Sequence, residues 1–263
     1  MAKAKSAKSP APSGEVLTTA PVQMLIANRD QLGADVFPLQ TGEAFASIPV
    51  GDVRPGSQIT WYYSGPAGAT MTLSLNRVPN SGGHIHAGGP TGSLSRTSII
   101  LGTKYPQNEP VVFTAPDAAG TIEITGVASK GGSTTGQNRV HIPGFTALTG
   151  GVGLTLTGGM PEHPGNHFGL PALVQKIQQL GAQFHAKFGK NLFVNDMSLH
   201  DGGLYDFHST WAPPHATHRE GRTVDVNSTS MSSEEKAFFK ATATGLGFRV
   251  ALESTPPHWH LTM

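Results

Sequence analysis

The sequence predicts two units of different class: an N-terminal all-β, sandwich-like domain over residues 36–157 and a C-terminal α+β domain with a small antiparallel sheet over residues 158–263. A flexible arm and lead-in over residues 1–35 precede them. Three observations predict this division. At 263 residues the chain is long for one ordinary domain and suits two of roughly 100 to 150 each. Hydrophobic residues make up 37% and charged ones only 13%, with 33 Gly and 20 Pro, a balance for turn-dense β structure that excludes a coiled coil. After about residue 157 the apolar pattern changes from alternation to steps of three and four.

From Met1 to about Thr19 the chain runs through Lys, Ala, Ser and Pro in low-complexity order, too poor in apolar surface to offset its ordering entropy. Between Val36 and Thr157, short alternating runs are punctuated by Gly, Pro, Asn and Asp. Residues 59–63 (ITWYY), 71–75 (MTLSL), 98–101, 111–113, 121–125 (TIEIT), 140–142 and 153–156 read as strands. Beyond the turn-rich GGMPEHPGNHFG, the residues Leu173, Ile177, Leu180, Phe184 and Phe188 mark one face of a helix opened by Pro171 and ended near Gly189. Ser232 and Glu235 stand at capping-box spacing before a second helix that stops around Gly245 to Gly247. Strands over 248–252 and 258–261 complete the pattern.

Lys plus Arg count 18 against 17 Asp plus Glu, so a net charge of +1 offers no global attraction to nucleic acid or anionic lipid. Without Cys there is no disulfide, no thiolate nucleophile and no Cys-ligated metal. Any metal must sit on His, Asp or Glu. The apolar stretch over 22–27 is too short for a membrane span, and no signal peptide is visible.

Of 12 His, nine lie between His163 and His260. In PPHATHREGRTVDVN, His218 precedes Asp225 by seven residues, with Gly221 between them to turn the backbone. On a strand, Thr223 and Asp225 share one face and Val224 and Val226 the other. In PPHWHL, His258 and His260 likewise point the same way. Two imidazoles and a carboxylate are a normal set for a catalytic zinc whose fourth position is left to water, whereas calcium and magnesium want more oxygens.

HATHREGRTVDV followed by HWH resembles the two metal-site motifs of the LAS metallopeptidases, the group of lysostaphin-type enzymes, D-Ala-D-Ala peptidases and the hedgehog fold. The nearest likeness is to penicillin-insensitive murein endopeptidases, whose motif also runs His-x-x-His, Gly three after the second His, then Val-Asp. NDMSLHDGGLYDF resembles their Met-Ser, Gly-Gly lead-in. The likeness covers about residues 193–261 and does not extend to the β-rich half.

The resemblance implies a LAS/hedgehog-like zinc peptidase domain with one Zn2+ held by His218, Asp225 and His260. His258 would stand beside the metal-bound water as proton relay. His215 matches the extra histidine of the motif, as a catalytic, supporting or fourth-ligand group. Arg219 and Arg222, where those enzymes often carry uncharged residues, are expected to clamp substrate or oxyanion. Asp206 and His208 in LYDFH either orient the ligands or are surface loop residues. Glu253, five positions before HWH, is too far along the chain to claim as an acidic base. Trp211 and Trp259 read as core or pocket walls.

The implied function is a zinc-dependent endopeptidase cutting peptide cross-links of bacterial peptidoglycan at a bond involving a D-amino acid. The alternatives are a D,D-carboxypeptidase or dipeptidase of the same fold, and a non-catalytic cell-wall-binding protein with a vestigial zinc site. The expected partner is the peptidoglycan stem peptide, with monomer as the default state. The expected place of action is periplasmic or extracellular, reached by a removed leader, phage lysis or an injection machine. The β domain is expected to target or space the hydrolase. Within it, His84 and His86 in SGGHIHAGGPTG, with His141 on a later strand, form either a metal site or a loop with two exposed imidazoles. Trp61, Tyr62 and Tyr63 either stack on sugars or pack in the core.

Overall fold

The computed structural model describes residues 23–27 (as backbone), 51–102, 110–207, 209–212 and 217–263. The arm over residues 1–19, together with His208 and His215, lies outside the described residues. Within them the protein is β-rich, with two helices and four sheets, and no helix is long and apolar enough to cross a membrane.

The N-terminal half contains β1 (Gln23–Ala27), β2 (Gly51–Val53), β3 (Gln58–Ser64), β4 (Thr70–Arg77), β5 (Ser93–Leu94), β6 (Ser98–Ile100), β7 (Val111–Thr114), β8 (Gly120–Ala128) and β9 (Ser133–Val140). They form two sheets, ordered β1-β3-β7-β5 and β2-β9-β8-β4-β6. Alternation sends Trp61 and Tyr63 of β3 and Phe113 of β7 from the first sheet into one apolar cluster with Met71 of β4 and Ile122 and Ile124 of β8 from the second. Each such side chain, fully buried, stabilises the fold by about 1.5–3 kcal/mol. Trp61 Nε1 donates to Asn138 Oδ1 of β9 at 3.2 Å, joining the two sheets through a buried bond. Trp61 and Tyr63 are fully buried, so the sugar-stacking option falls for both.

Several strands were not read from the sequence, β1 and β9 among them. β1 forms inside the stretch read as lead-in, antiparallel to β3. β9 has no apolar alternation to announce it; its eight residues become a strand by pairing with β8 from Ser133 to Val140.

The C-terminal half contains β10 (Thr146–Ala147), β11 (Leu154–Leu156), β12 (Phe168–Gly169), α1 (Pro171–Phe188), β13 (Leu192–Asp196), β14 (Thr223–Asn227), α2 (Ser233–Gly245), β15 (Arg249–Ser254) and β16 (Pro257–Thr262). β10 pairs with β12, and the other strands form one sheet ordered β11-β13-β14-β16-β15. α1 starts at Pro171, whose missing N–H would have had no helical partner, and ends at Gly189 in the left-handed region. α2 opens with a complete capping box: Glu235 N donates to Ser232 Oγ at 3.2 Å, and Ser232 N donates to Glu235 Oε2 at 2.6 Å.

Both helices cover one face of this sheet. Leu173, Ile177, Leu180 and Phe184 of α1 and Phe239 of α2 cluster with Val224, Val226, Trp259 and Leu261. Trp259 stacks on Phe239 at 5.4 Å and is a core residue. With every second residue of β14 and β16 committed to the helices, the intervening ones, Asp225, His258 and His260, project from the other face. The halves meet through backbone bonds from Ile142 N to Asp201 O (2.9 Å), Leu204 N to Asp117 O (2.8 Å) and Ile85 N to Glu162 O (2.9 Å).

Candidate metal centre

Antiparallel register places Asp225 of β14 directly opposite His260 of β16, and Asn227 opposite His258. The same rule across the β15–β16 hairpin puts Glu253 opposite His258. His218 arrives from a single 3-10 turn over His218–Glu220 that ends at Gly221. Gly221 has φ +63°, and a Cβ there would lie 2.6 Å from the Phe145 ring and 3.0 Å from Gly169 Cα, so both its conformation and its space require glycine. Thr223 Oγ1 donates to Thr217 O at 2.9 Å and ties the turn to the start of β14.

The result is a carboxylate among three imidazoles. His260 Nδ1 donates to Asp225 Oδ1 at 2.8 Å. His218 Nε2 lies 3.3 Å and His258 Nε2 3.5 Å from Asp225 Oδ2. One donor atom from each of His218, Asp225 and His260 falls within 4.8 Å of the others, and Glu253, His258 and His260 form an overlapping group. These His/Asp side chains are able to hold a metal ion. Burial pushes the Asp225 carboxyl up, but hydrogen bonds from His218 and His260 and the charges of His218 and His258 outweigh it and hold the group well below the ordinary carboxylate range. The bond to Asp225 in turn raises His260.

His258 is oriented by its own chain. Its Nδ1 lies 2.7 Å from Pro256 O, and because a carbonyl only accepts, Nδ1 carries the proton. Nε2 is thereby left facing Asp225 Oδ2 and, at 3.4 Å, Glu253 Oε2. Of its two ring nitrogens, Nε2 is the one turned towards these carboxylates. No protein-family model matches the chain. A search of curated proteins also finds no match. The LAS resemblance therefore rests on the sequence motifs alone.

Other residues singled out in the sequence lie elsewhere. Arg219 Nη1 is 3.2 Å from Asp117 Oδ2 of the N-terminal half, and Arg222 Nε is 3.9 Å from Glu220 Oε2. Both arginines line a cavity of about 370 Å³ whose walls include neither Asp225 nor any of His218, His258 and His260. Asp206 does not adjoin Asp225; it converges with His84, His86 and His163. The reading of His84 and His86 as exposed imidazoles is wrong, since their side chains are 1% and 6% exposed. His141 is not their partner and faces Asp52 at 3.5 Å. His163 and Glu253 were passed over because nothing near them in sequence forms a motif; only the folded path brings them to their partners.

Proposed function

We propose that the chain is a zinc-dependent endopeptidase of the LAS type that hydrolyses peptide cross-links of bacterial peptidoglycan at a bond involving a D-amino acid. The observation that carries this is the convergence of His218, Asp225 and His260 on a partly exposed sheet face, with the oriented His258 beside them. Two neutral ring nitrogens and one ionised carboxylate fit zinc better than calcium or magnesium. When bound, zinc supplies Lewis acidity, lowering the pKa of water and polarising a carbonyl.

The chain's own residues would divide the remaining work. His218, Asp225 and His260 hold the cation. His258, with Nδ1 fixed by Pro256, takes a proton at Nε2 and returns it to the leaving amine. Glu253, opposite it across the hairpin, stabilises the imidazolium so formed. In this reading the C-terminal half, which the structure extends back to β10 and β11 rather than starting at residue 158, is the hydrolase, and the N-terminal half is a sandwich-like module that targets or spaces it. Peptidoglycan lies outside the cytoplasmic membrane, so the enzyme acts in the periplasm or outside the cell.

Incubation of the zinc-loaded protein with purified sacculi, followed by mass separation of the released muropeptides, tests the proposal, with Asp225→Ala as the inactive control. Cross-linked dimers turning to monomers are expected. Loss of terminal D-Ala alone would replace the endopeptidase with a trimming enzyme, and co-sedimentation without products would replace both with a wall-binding protein.

A further inference from the structure

We infer that His84, His86, His163 and Asp206 form a second, closed metal site, one that holds a four-coordinate zinc ion and fastens the Gly-rich turn of the N-terminal half to the C-terminal half. Four atoms carry it. His84 Nδ1, His86 Nε2 and His163 Nε2 are separated by 3.2, 3.0 and 3.2 Å. Asp206 Oδ1 lies 3.3, 3.4 and 3.1 Å from the same three atoms. All six edges are nearly equal, so the atoms stand at the corners of a near-regular tetrahedron. The centre of such a figure is about 2.0 Å from each corner, the length of a zinc bond to nitrogen or carboxylate oxygen.

Hydrogen bonds leave this packing incomplete. Asp206 Oδ1, buried with three ring nitrogens within 3.4 Å, accepts no hydrogen bond among the described residues. The three ring nitrogens and this oxygen surround a common point. In a buried site, a carboxylate oxygen and three ring nitrogens packed this closely are stabilised by a cation at the point. Three nitrogens and one oxygen in a tetrahedron suit zinc and do not suit the oxygen-rich shells of calcium or magnesium.

The surroundings close the site. The Trp211 indole lies over the His84 and His86 rings, with centroids at 4.6 and 4.2 Å. Its backbone N–H donates to Asp206 Oδ2 at 2.7 Å and fixes the carboxylate, while its Nε1 donates to Ala87 O at 3.1 Å. A Cβ on Gly89, at φ +109°, would lie 2.6 Å from that indole, so glycine is what lets the turn fit beneath it. With a fourth protein donor in place of an open position, the site is structural rather than catalytic. Its ligands are 122 residues apart at the extremes, from His84 to Asp206, so the ion would clamp segments that share little other covalent constraint.

The test does not depend on peptidase activity. Full-length protein carrying Asp225→Ala and His260→Ala, supplied with zinc and dialysed, should retain one zinc ion per chain. X-ray absorption should show three nitrogens and one oxygen at about 2.0 Å, and cobalt substitution should give the intense visible bands of tetrahedral coordination. Adding His163→Gln, which keeps the volume but removes the strong donor, should take the metal content to zero. A zinc-free Asp225→Ala/His260→Ala protein, six-coordinate cobalt in it, or undiminished zinc after His163→Gln would each overturn the inference. Failure of the sacculus digestion would leave it standing.

Discussion

Two clusters of the same residue types sit in one chain and differ in a way that assigns them different work. His84, His86, His163 and Asp206 supply four donors with side chains 1%, 6%, 0% and 0% exposed. His218, Asp225 and His260 supply three, and His260 is 18% exposed at the mouth. Zinc sites that hold structure are saturated by protein, and those that do chemistry keep a position for substrate or water. The closed cluster is assembled from turns and loops of both halves, while the open one has Asp225 and His260 on adjacent strands of a single sheet and His218 on the turn that leads into the first of them. A site on paired strands holds its groups to the spacing that chemistry needs, and a site between segments is a clamp.

The sharpest way to break this comparison is to remove a group that only the open cluster has. His258→Ala deletes the proposed proton carrier and leaves His218, Asp225 and His260 in place. Turnover should fall about 10²- to 10⁴-fold with zinc content unchanged, as read by muropeptide release against metal analysis. Unchanged turnover would remove His258 from the mechanism; lost zinc would make it a ligand and the open cluster a second closed one.

A change of backbone comes next. Gly221→Ala places a methyl group against Phe145 at a left-handed φ, immediately after the turn that carries His218. The conformational cost is about 1–2 kcal/mol and the overpacking about 1–3 kcal/mol, which together lower the melting temperature by roughly 5–15 °C. Zinc should leave the open cluster and stay in the closed one. A variant that melts like the unaltered protein would show that the turn is not what positions His218.

The open cluster was legible in the sequence because its chemistry is local. The two-residue step from His258 to His260 and the position of Asp225 between two valines set which side chains share a face once the strands are recognised, while His218 lies a short turn ahead of the same strand. The closed cluster was not legible. His84 and His86 announce a pair, but their remaining partners come from positions 163 and 206, and a Gly-rich turn gives no period from which to read a third ligand. Glu253 was dismissed for its distance along the chain, which a hairpin cancels. The strand over Leu192–Asp196 escaped notice for the same reason as Ser133–Val140. Neither carries enough alternation, and each exists because a neighbouring strand pairs with it.

Tyr205 tests whether the two clusters are independent. Its ring stands edge-on to His163 at 5.4 Å, and its hydroxyl donates at 2.7 Å to Asp196, the cross-strand partner of Asp225. Asn166 Nδ2 donates to the same hydroxyl at 3.0 Å and to Asp196 at 2.8 Å. Tyr205→Phe leaves the ring against His163 and withdraws one donor from the half-buried Asp196 carboxylate, a loss of about 1–3 kcal/mol. Melting should shift down by a few degrees with both metal contents intact. Loss of zinc from either cluster would show one connected network in place of two sites.

The smallest effect lies in the frame beneath the open cluster. The Glu235 carboxylate closes the α2 capping box and lies 2.6 Å from Lys190 Nζ. The hydrogen bond from Lys190 and the Ser232 backbone N–H hold it below the ordinary Glu value. A depressed carboxylate stabilises the fold fully above its unfolded value and loses that contribution as the pH falls through its folded one. Glu235→Gln should therefore melt slightly lower than the unaltered protein at pH 7, and the gap should close as the pH drops below the usual carboxylate range. Because α2 packs on the face of the sheet opposite Asp225, both proteins should keep the same zinc content and turnover at pH 7. A gap that widens on acidification would mean that Glu235 is not held in its charged form by these partners.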